Sequence, residues 1–267
     1  MRIVRIVDQK GTTVFAVKHS DGKLTRLSGN LYGQYQDSGE KVEAQKYLAP
    51  IEPAAIIGIG LNYHDFAEFV GAAIPEYTIV FMKNPATLVG PEDNIAIPDC
   101  CMNPPQADFE AELAVVIGKP AKNVSIENAF DYVLGYTVTN DVTARTWLTL
   151  DGAKQWVRGK SFDTFTVLGP ELVTKDEISN PQNLSVKSVL NGKPMQDSNT
   201  SKMIFSVAQL IAYLSEGTTL LPGTVILTGT PKGVGVNQDP KVFLKPGDVI
   251  EVSVGGIGTL TNSVIAG

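Results

Sequence analysis

The sequence predicts an α+β fold that is mainly β, a mixed β-sandwich or roll with few helices. Apolar runs of strand length dominate the chain after residue 54, whereas only one segment has strong helical periodicity. The strand-like runs are not separated by regular helical crossovers, which argues against a doubly wound α/β sheet. A chain of 267 residues can bury a full core as one large domain, alone or with a small appendage.

The first 48 residues predict a small β-rich cap, the domain 1–48. Two strand-like runs, 13–17 and 24–27, flank Ser20-Asp21-Gly22-Lys23, which favours a hairpin turn. Pro50 and Pro53 then mark a linker to a main domain predicted over 54–267.

The main domain begins with a predicted strand over 54–60 and a short helix over 64–70. The one strongly periodic helix has apolar residues at i, i+3, i+4 and i+7 from Val207; Ser206 with Gln209 predicts a capping box, and Gly217 the end of the helix. The other predicted strands are 78–82, 113–117, 133–139, 184–190, 224–228 and 249–254.

Composition excludes several functional classes. A formal charge of −6 argues against nucleic-acid binding. Cys100 and Cys101 are adjacent, a poor arrangement for a structural disulfide, so a reducing compartment, the cytoplasm, is predicted. The first residues lack the apolar core of a signal peptide, and no apolar run approaches the ~18 residues of a membrane span.

Two glutamates, Glu110 and Glu112, stand at the start of the apolar run 113–118. Side chains two residues apart on a strand point the same way. Two carboxylates buried together repel each other and lose hydration, so one would hold a proton unless a cation lay between them. The pair therefore predicts a divalent metal site; the alternative is a charged strand edge that resists aggregation.

Asp141 is the candidate third ligand, because it ends the strand-like run 134–141, where side chains leave a sheet. Three carboxylates without an imidazole suit Mg²⁺ or Mn²⁺ better than zinc.

Other polar residues have two interpretations each. Lys160, between a glycine and an aromatic segment, is either a fixed cation near a ligand oxygen or a solvated loop lysine, and Lys83 has the same alternatives. Thr230 lies in a loop that matches no phosphate-binding motif, and is either part of a tight turn or an anchor for a ligand carboxylate. His64, at a strand-to-helix junction, is a candidate catalytic group.

Together these residues resemble the fumarylacetoacetate hydrolase family over about 54–267. The segment 154–170 is most similar to the oxaloacetate tautomerase branch. The motifs that carry the resemblance are Gly60-Leu61-Asn62-Tyr63 and the segments 109–118, 135–145, 159–165 and 229–235.

The resemblance implies a mixed β-sandwich roll of the fumarylacetoacetase C-terminal type, a homodimer, and Mg²⁺ or Mn²⁺ held by Glu110, Glu112 and Asp141. It also implies Lys160 as the active-site lysine, with no nucleic-acid or membrane partner. The residues expected to contact a small-molecule substrate are Thr230, Arg145, Lys83, Tyr63, Phe66 and Leu148.

The chain departs from the family motif Asn-Tyr-x-x-His-x-x-Glu, because Phe66 and Phe69 replace the His/Glu pair that activates water. His64 lies two residues early, about 200° away around a helix. Leu148 replaces a glutamine that faces substrate. We therefore expect a metal-dependent enzyme that forms the enolate of a 2-oxo acid or enolic β-dicarbonyl, a tautomerase or decarboxylase.

Three alternatives stay open at this point. The first is a C–C hydrolase of the acylpyruvate type. The second is an enzyme of specialised, polyketide-like metabolism with a bulky apolar substrate. The third is a non-catalytic metal-containing binding protein.

Overall fold

The computed structural model describes residues 1–149 and 153–267. Strands dominate it. Their bounds are β1 Arg2–Asp8, β2 Thr13–Lys18, β3 Leu24–Gly29, β4 Tyr35–Val42, β5 Ala44–Leu48, β6 Ala55–Gly60, β7 Ile79–Lys83, β8 Leu88–Val89, β9 Ile95–Ile97, β10 Ala107–Asp108, β11 Ala111–Ile117, β12 Val133–Asp141, β13 Thr143–Ala144, β14 Thr166–Thr174, β15 Ser185–Leu190, β16 Lys193–Asn199, β17 Thr224–Leu227, β18 Val249–Val254 and β19 Gly258–Ala266.

Helices are short in the described residues. They are α1 His64–Val70, α2 Arg145–Leu148, α3 Trp156–Lys160 and α4 Val207–Ser215. None of the helices within 1–149 and 153–267 has the length and apolar character needed to cross a membrane.

The strands form one large and two smaller sheets. The twelve-stranded sheet runs β4-β3-β2-β1-β14-β12-β11-β17-β6-β7, with β5 on β1 and β8 on β14. The five-stranded sheet runs β16-β15-β18-β19-β9, and β10 pairs with β13. Most pairs are antiparallel, but β17–β6, β14–β8 and β19–β9 are parallel. This mixed, mainly β arrangement confirms the predicted fold class.

The cap predicted over 1–48 folds into β1–β5, and the hairpin between β2 and β3 forms as expected. However, β1 pairs with β14, so these strands extend the large sheet. The division into a cap and a main domain therefore stays a prediction.

Both faces of β11 are buried, which explains its continuous apolar sequence. On one face, Leu113 and Val115 belong to the main core, which also contains residues of β15, β18 and α4. On the other face, Ala114 and Val116 pack in a second core with Ile3 and other residues. The strand is thus fixed from both sides, and so is the acidic segment at its start.

The helix predicted from Val207 is α4, and the capping box is present. The Ser206 side chain accepts a hydrogen bond from the Gln209 amide, and the Gln209 side chain accepts one from the Ser206 amide. These bonds satisfy amides that the first helical turn leaves without partners.

We expect Ser206→Ala to lower the free energy of unfolding by ~0.5–2 kcal/mol, because the Gln209 amide then loses its acceptor. Urea denaturation would measure the change. Ser201→Ala is the control, since Ser201 is exposed and its side chain caps no helix. Equal losses in the two variants would contradict a capping role for Ser206.

Candidate active site

The strands β11 and β12 bring three buried carboxylates together at one end of the large sheet. Glu110, Glu112 and Asp141 can each offer one oxygen such that all three oxygens lie within 4.8 Å of one another. We call these residues the acid cluster. The antiparallel register explains the arrangement, because it pairs Ala111 with Asn140 and so sets the start of β11 beside the end of β12.

Two lysines neutralise part of this charge. Lys160 Nζ donates to Glu110 Oε2 at 2.6 Å and to Asp141 Oδ2 at 2.5 Å. Lys83 Nζ donates to the other oxygen of Asp141 and, at 2.6 Å, to the Phe165 carbonyl. Both lysines, which the sequence left open as loop residues, are therefore buried in the site.

These contacts set the charge states. Burial opposes ionisation of Asp141, but Lys160 and Lys83 outweigh it and hold the pKa of Asp141 below its usual value. Burial likewise opposes charge on Lys160, but Asp141 and Glu110 outweigh it and raise the pKa of Lys160. The Lys160–Asp141 pair is therefore ionic.

Glu112 lacks such compensation. In the described part of the chain, its side chain accepts one hydrogen bond, from the Gly229 amide at 2.8 Å. Burial first, and then Asp141 and Glu110, raise the pKa of Glu112 well above its usual value. A buried carboxylate beside two others, with no cation of its own, fits the chemistry of a divalent-ion ligand.

The cluster also fits such an ion in size. Oxygens around one Mg²⁺ lie at most ~4.2 Å apart, because each is ~2.1 Å from the ion. The three oxygens of the acid cluster lie within 4.8 Å of one another, a separation close to this value. An all-oxygen donor set suits Mg²⁺ or Mn²⁺.

Arg145 connects the acid cluster to Asp108. Its Nη1 lies 2.6 Å from Glu110 Oε1, and its Nε donates to Asp108 Oδ2 at 2.8 Å. Burial opposes the charge on Arg145, but Asp108 and Glu110 outweigh it and raise the pKa of Arg145. Its Nη2 is buried and has no hydrogen-bond partner among the described residues.

Asp108 is a structural centre that the sequence analysis missed. Besides Arg145, it accepts hydrogen bonds from the amides of Gly235 at 2.7 Å and Val236 at 2.9 Å. It thus ties the loop after β17 to the strand that carries the acid cluster. The sequence feature that could have indicated a role for Asp108 is its position two residues before Glu110.

A small cavity of about 50 Å³ opens beside the acid cluster. Its polar lining residues are Glu110, Arg145, Lys160 and Thr230, and its other lining residues are Ile59, Gly60, Leu61, Phe66, Phe81, Leu148 and Trp156. A larger cleft of about 530 Å³ lies along 28–36, but none of these ionic side chains lines it. We therefore place the candidate active site at the small cavity.

Two glycines of β6 make room for two aromatic side chains that line the cavity, Phe81 and Trp156. A Cβ atom at Gly58 would meet the Phe81 ring at 2.1 Å, and one at Gly60 would meet Trp156 at 2.4 Å. Lys160 Nζ lies 4.8 Å from the centroid of the Phe81 ring, so this ring also contacts Lys160.

The Thr230 hydroxyl is held by two bonds. It donates to the Ala111 carbonyl at 3.0 Å and accepts from Gln196 Nε2 at 2.7 Å. Because its proton is already donated, Thr230 can offer only an acceptor lone pair to a ligand. Gln196, which the sequence analysis did not single out, also accepts from the Ala111 amide at 3.0 Å.

Not every predicted site residue lies at the cavity. Phe66 and Leu148 line it, whereas His64 is exposed at the start of α1 and is not part of the lining. Phe69 is 52% exposed, so only one of the two replaced positions faces the site. Tyr63 is fully buried, outside the lining, and its hydroxyl has no partner in the described residues.

The family model for the fumarylacetoacetate (FAA) hydrolase C-terminal domain matches residues 55–265. The chain belongs to this family. Among curated proteins, it is 49% identical to a mitochondrial oxaloacetate tautomerase of Xenopus laevis, over 82% of this chain and 68% of the relative. It is 44% identical to a mitochondrial oxaloacetate tautomerase of Homo sapiens, over 82% and 69%.

Solved structures agree. A 5-carboxymethyl-2-hydroxymuconate delta-isomerase from Mycobacterium smegmatis is 36% identical with a TM-score of 0.86, and all of both chains is covered. A fumarylacetoacetate hydrolase from Exiguobacterium antarcticum is 34% identical with a TM-score of 0.88, again over all of both chains.

We expect Asp108→Asn to destabilise the protein by roughly 3–5 kcal/mol, because Arg145 loses a buried ionic partner and the two loop amides lose part of their acceptor. Urea denaturation of the full chain measures this. Asp99→Asn is the matched control, since Asp99 is an exposed acid nearby, and the expected change is within ~0.5 kcal/mol. If Asp108→Asn lowered the free energy of unfolding by less than ~0.5 kcal/mol, the structural role of Asp108 would be contradicted.

Proposed function

We propose that the protein is a divalent-metal-dependent keto–enol tautomerase of a small 2-oxo acid, with oxaloacetate as the first candidate. The observation that carries the proposal is the acid cluster, in which Glu112 has no cationic partner within 1–149 and 153–267, beside two fixed cations that line the cavity. The oxaloacetate tautomerases among the relatives support the same class of reaction.

The cation, Mg²⁺ or Mn²⁺, would supply Lewis acidity that lowers the free energy of an enolate. The protein residues would hold and orient the substrate. Arg145 Nη2, which has no partner in the part of the chain that the structure describes, can donate to a substrate carboxylate, and Thr230 can accept from an enol hydroxyl. Lys83 is bound to Asp141 and does not line the cavity, so its role in the proposal is to hold the Asp141 carboxylate in place.

Lys160 is the proposed proton carrier. Its ammonium group lines the cavity between Glu110 and Asp141, so it can donate a proton to the enolate carbon. The resulting amine then takes up the proton that the enol hydroxyl releases, which restores the ammonium group. The other candidate, His64, is exposed and does not line the cavity, so we assign it no role.

The cavity disfavours the hydrolase alternative. Phe66 cannot accept a proton, and general-base assistance contributes typically ~10²–10⁴-fold to a rate, so efficient C–C hydrolysis is not expected. Decarboxylation, which passes through the same enolate, belongs to the proposal as a side activity.

Assembly and location stay predictions. A homodimer would cover apolar side chains that the described chain exposes near α1 and β7, including Ile74, Tyr77 and Met82. The cytoplasmic location predicted from the sequence is a further proposal; the Xenopus laevis and Homo sapiens relatives are mitochondrial proteins.

We expect the protein to accelerate conversion of enol-oxaloacetate to the keto form, followed by loss of the enol ultraviolet absorbance, and EDTA to abolish the acceleration. Glu112→Gln should lower the rate by at least ~10²-fold, because it removes a charged ligand of the cation. Glu68→Gln is the matched control, since Glu68 is exposed on α1. Equal rates with and without EDTA would count against the proposal.

We expect wild-type protein to cleave acetylpyruvate poorly and Phe66→His to raise the rate, because an imidazole at the cavity could activate water. Phe69→His is the control, since this position is exposed and should give no gain. Chromatographic detection of acetate and pyruvate measures cleavage. Rapid cleavage by the wild type would instead favour the hydrolase alternative, and tight Mn²⁺ binding without turnover would favour a binding protein.

A further inference from the structure

Thr139 lies between two members of the acid cluster. It is the cross-strand partner of Glu112 and stands two residues before Asp141 on β12. Side chains of a cross-strand pair lie on the same face of a sheet, as do side chains two residues apart on one strand. Thr139 therefore shares its face with both carboxylates.

The Thr139 hydroxyl lacks a hydrogen bond. The residue is 0% exposed, and its Oγ1 has no partner among the described residues. Buried threonines nearby differ: the hydroxyl of Thr137 donates to the Gly169 carbonyl at 3.1 Å, and that of Thr228 donates to the Leu113 carbonyl at 2.8 Å. Because buried polar groups are nearly always bonded, the Thr139 hydroxyl indicates a partner that a ligand of the site would bring.

We infer that Thr139 is a positioning residue of the metal site, whose hydroxyl hydrogen-bonds an oxygen atom that ligates the cation. The inference rests on the proposed function. Both oxygens of Asp141 already accept bonds from lysines, whereas Glu112 accepts only the Gly229 amide among the described residues. The Thr139 hydroxyl thus shares a face of the sheet with the member of the acid cluster that has the fewest bonds there. A branched side chain on a strand has restricted rotation about χ1, so it can hold such a partner in place.

The competing explanation is that Thr139 is simply a good strand residue. In that case valine, which has nearly the same shape and a high strand preference, would serve equally well. The two explanations therefore differ in their prediction for Thr139→Val.

The test is a titration of metal-free full-length protein with Mn²⁺, in which electron paramagnetic resonance reports the free ion. We expect Thr139→Val to weaken Mn²⁺ binding by ~10-fold or more, as loss of hydrogen bonds to metal ligands commonly does. Thr139→Ser keeps the hydroxyl and should bind like the wild type. Thr137→Val, a buried threonine on the same strand whose hydroxyl bonds elsewhere, should leave the affinity unchanged.

Thermal unfolding of the metal-free variants separates this role from a structural one. Thr139→Val should unfold at the same or a higher temperature than the wild type, because a methyl group replaces a buried hydroxyl without a partner. Thr137→Val should unfold at a lower temperature, because the Gly169 carbonyl loses its donor.

Unchanged Mn²⁺ affinity in Thr139→Val would overturn the inference while leaving the metal site intact. Equal weakening in the serine and valine variants would also overturn it, because packing rather than the hydroxyl would then set the affinity. No Mn²⁺ binding by the wild type would overturn the proposed function itself.

Discussion

The site depends on compensation of charge that the fold buries. Strand pairing forces the acid cluster together, away from water, where carboxylates are tolerated only with partners. Lys83, Arg145 and Lys160 provide them, and each comes from a different part of the chain. Among the described residues, the network leaves Glu112 without a cationic partner, and this imbalance is what the proposed metal site would correct.

The surrounding structure keeps that network rigid. Asp108 and Gln196 bind the loop after β17 to the start of β11 through both side-chain and backbone groups. Gly58 and Gly60 let the rings of Phe81 and Trp156 approach the sheet, and both rings line the cavity. The lining therefore combines charged side chains with aromatic ones.

Local patterns predicted the features that depend on a single segment of the chain. Glu110 and Glu112 followed from the two-residue period, Asp141 from a strand end, and α4 from its capping box. The pairing of Asp141 with Lys83, and of the Ala111 amide with Gln196, did not follow, because these partners lie 58 and 85 residues apart in the sequence.

Two larger features were also not predicted from the sequence. Strand β14 carries a glycine and a proline, which obscure its period, although it joins the N-terminal strands to the rest of the sheet. The exposure of His64 and Phe69 shows the limit of a motif, since α1 turns both away from the cavity.

Strand β7 forms one edge of the large sheet and pairs with β6 alone among the described strands, yet it carries Phe81 and Lys83 into the site. Edge strands open locally before central ones, so amide hydrogen exchange in β7 should report fraying of the site well before global unfolding.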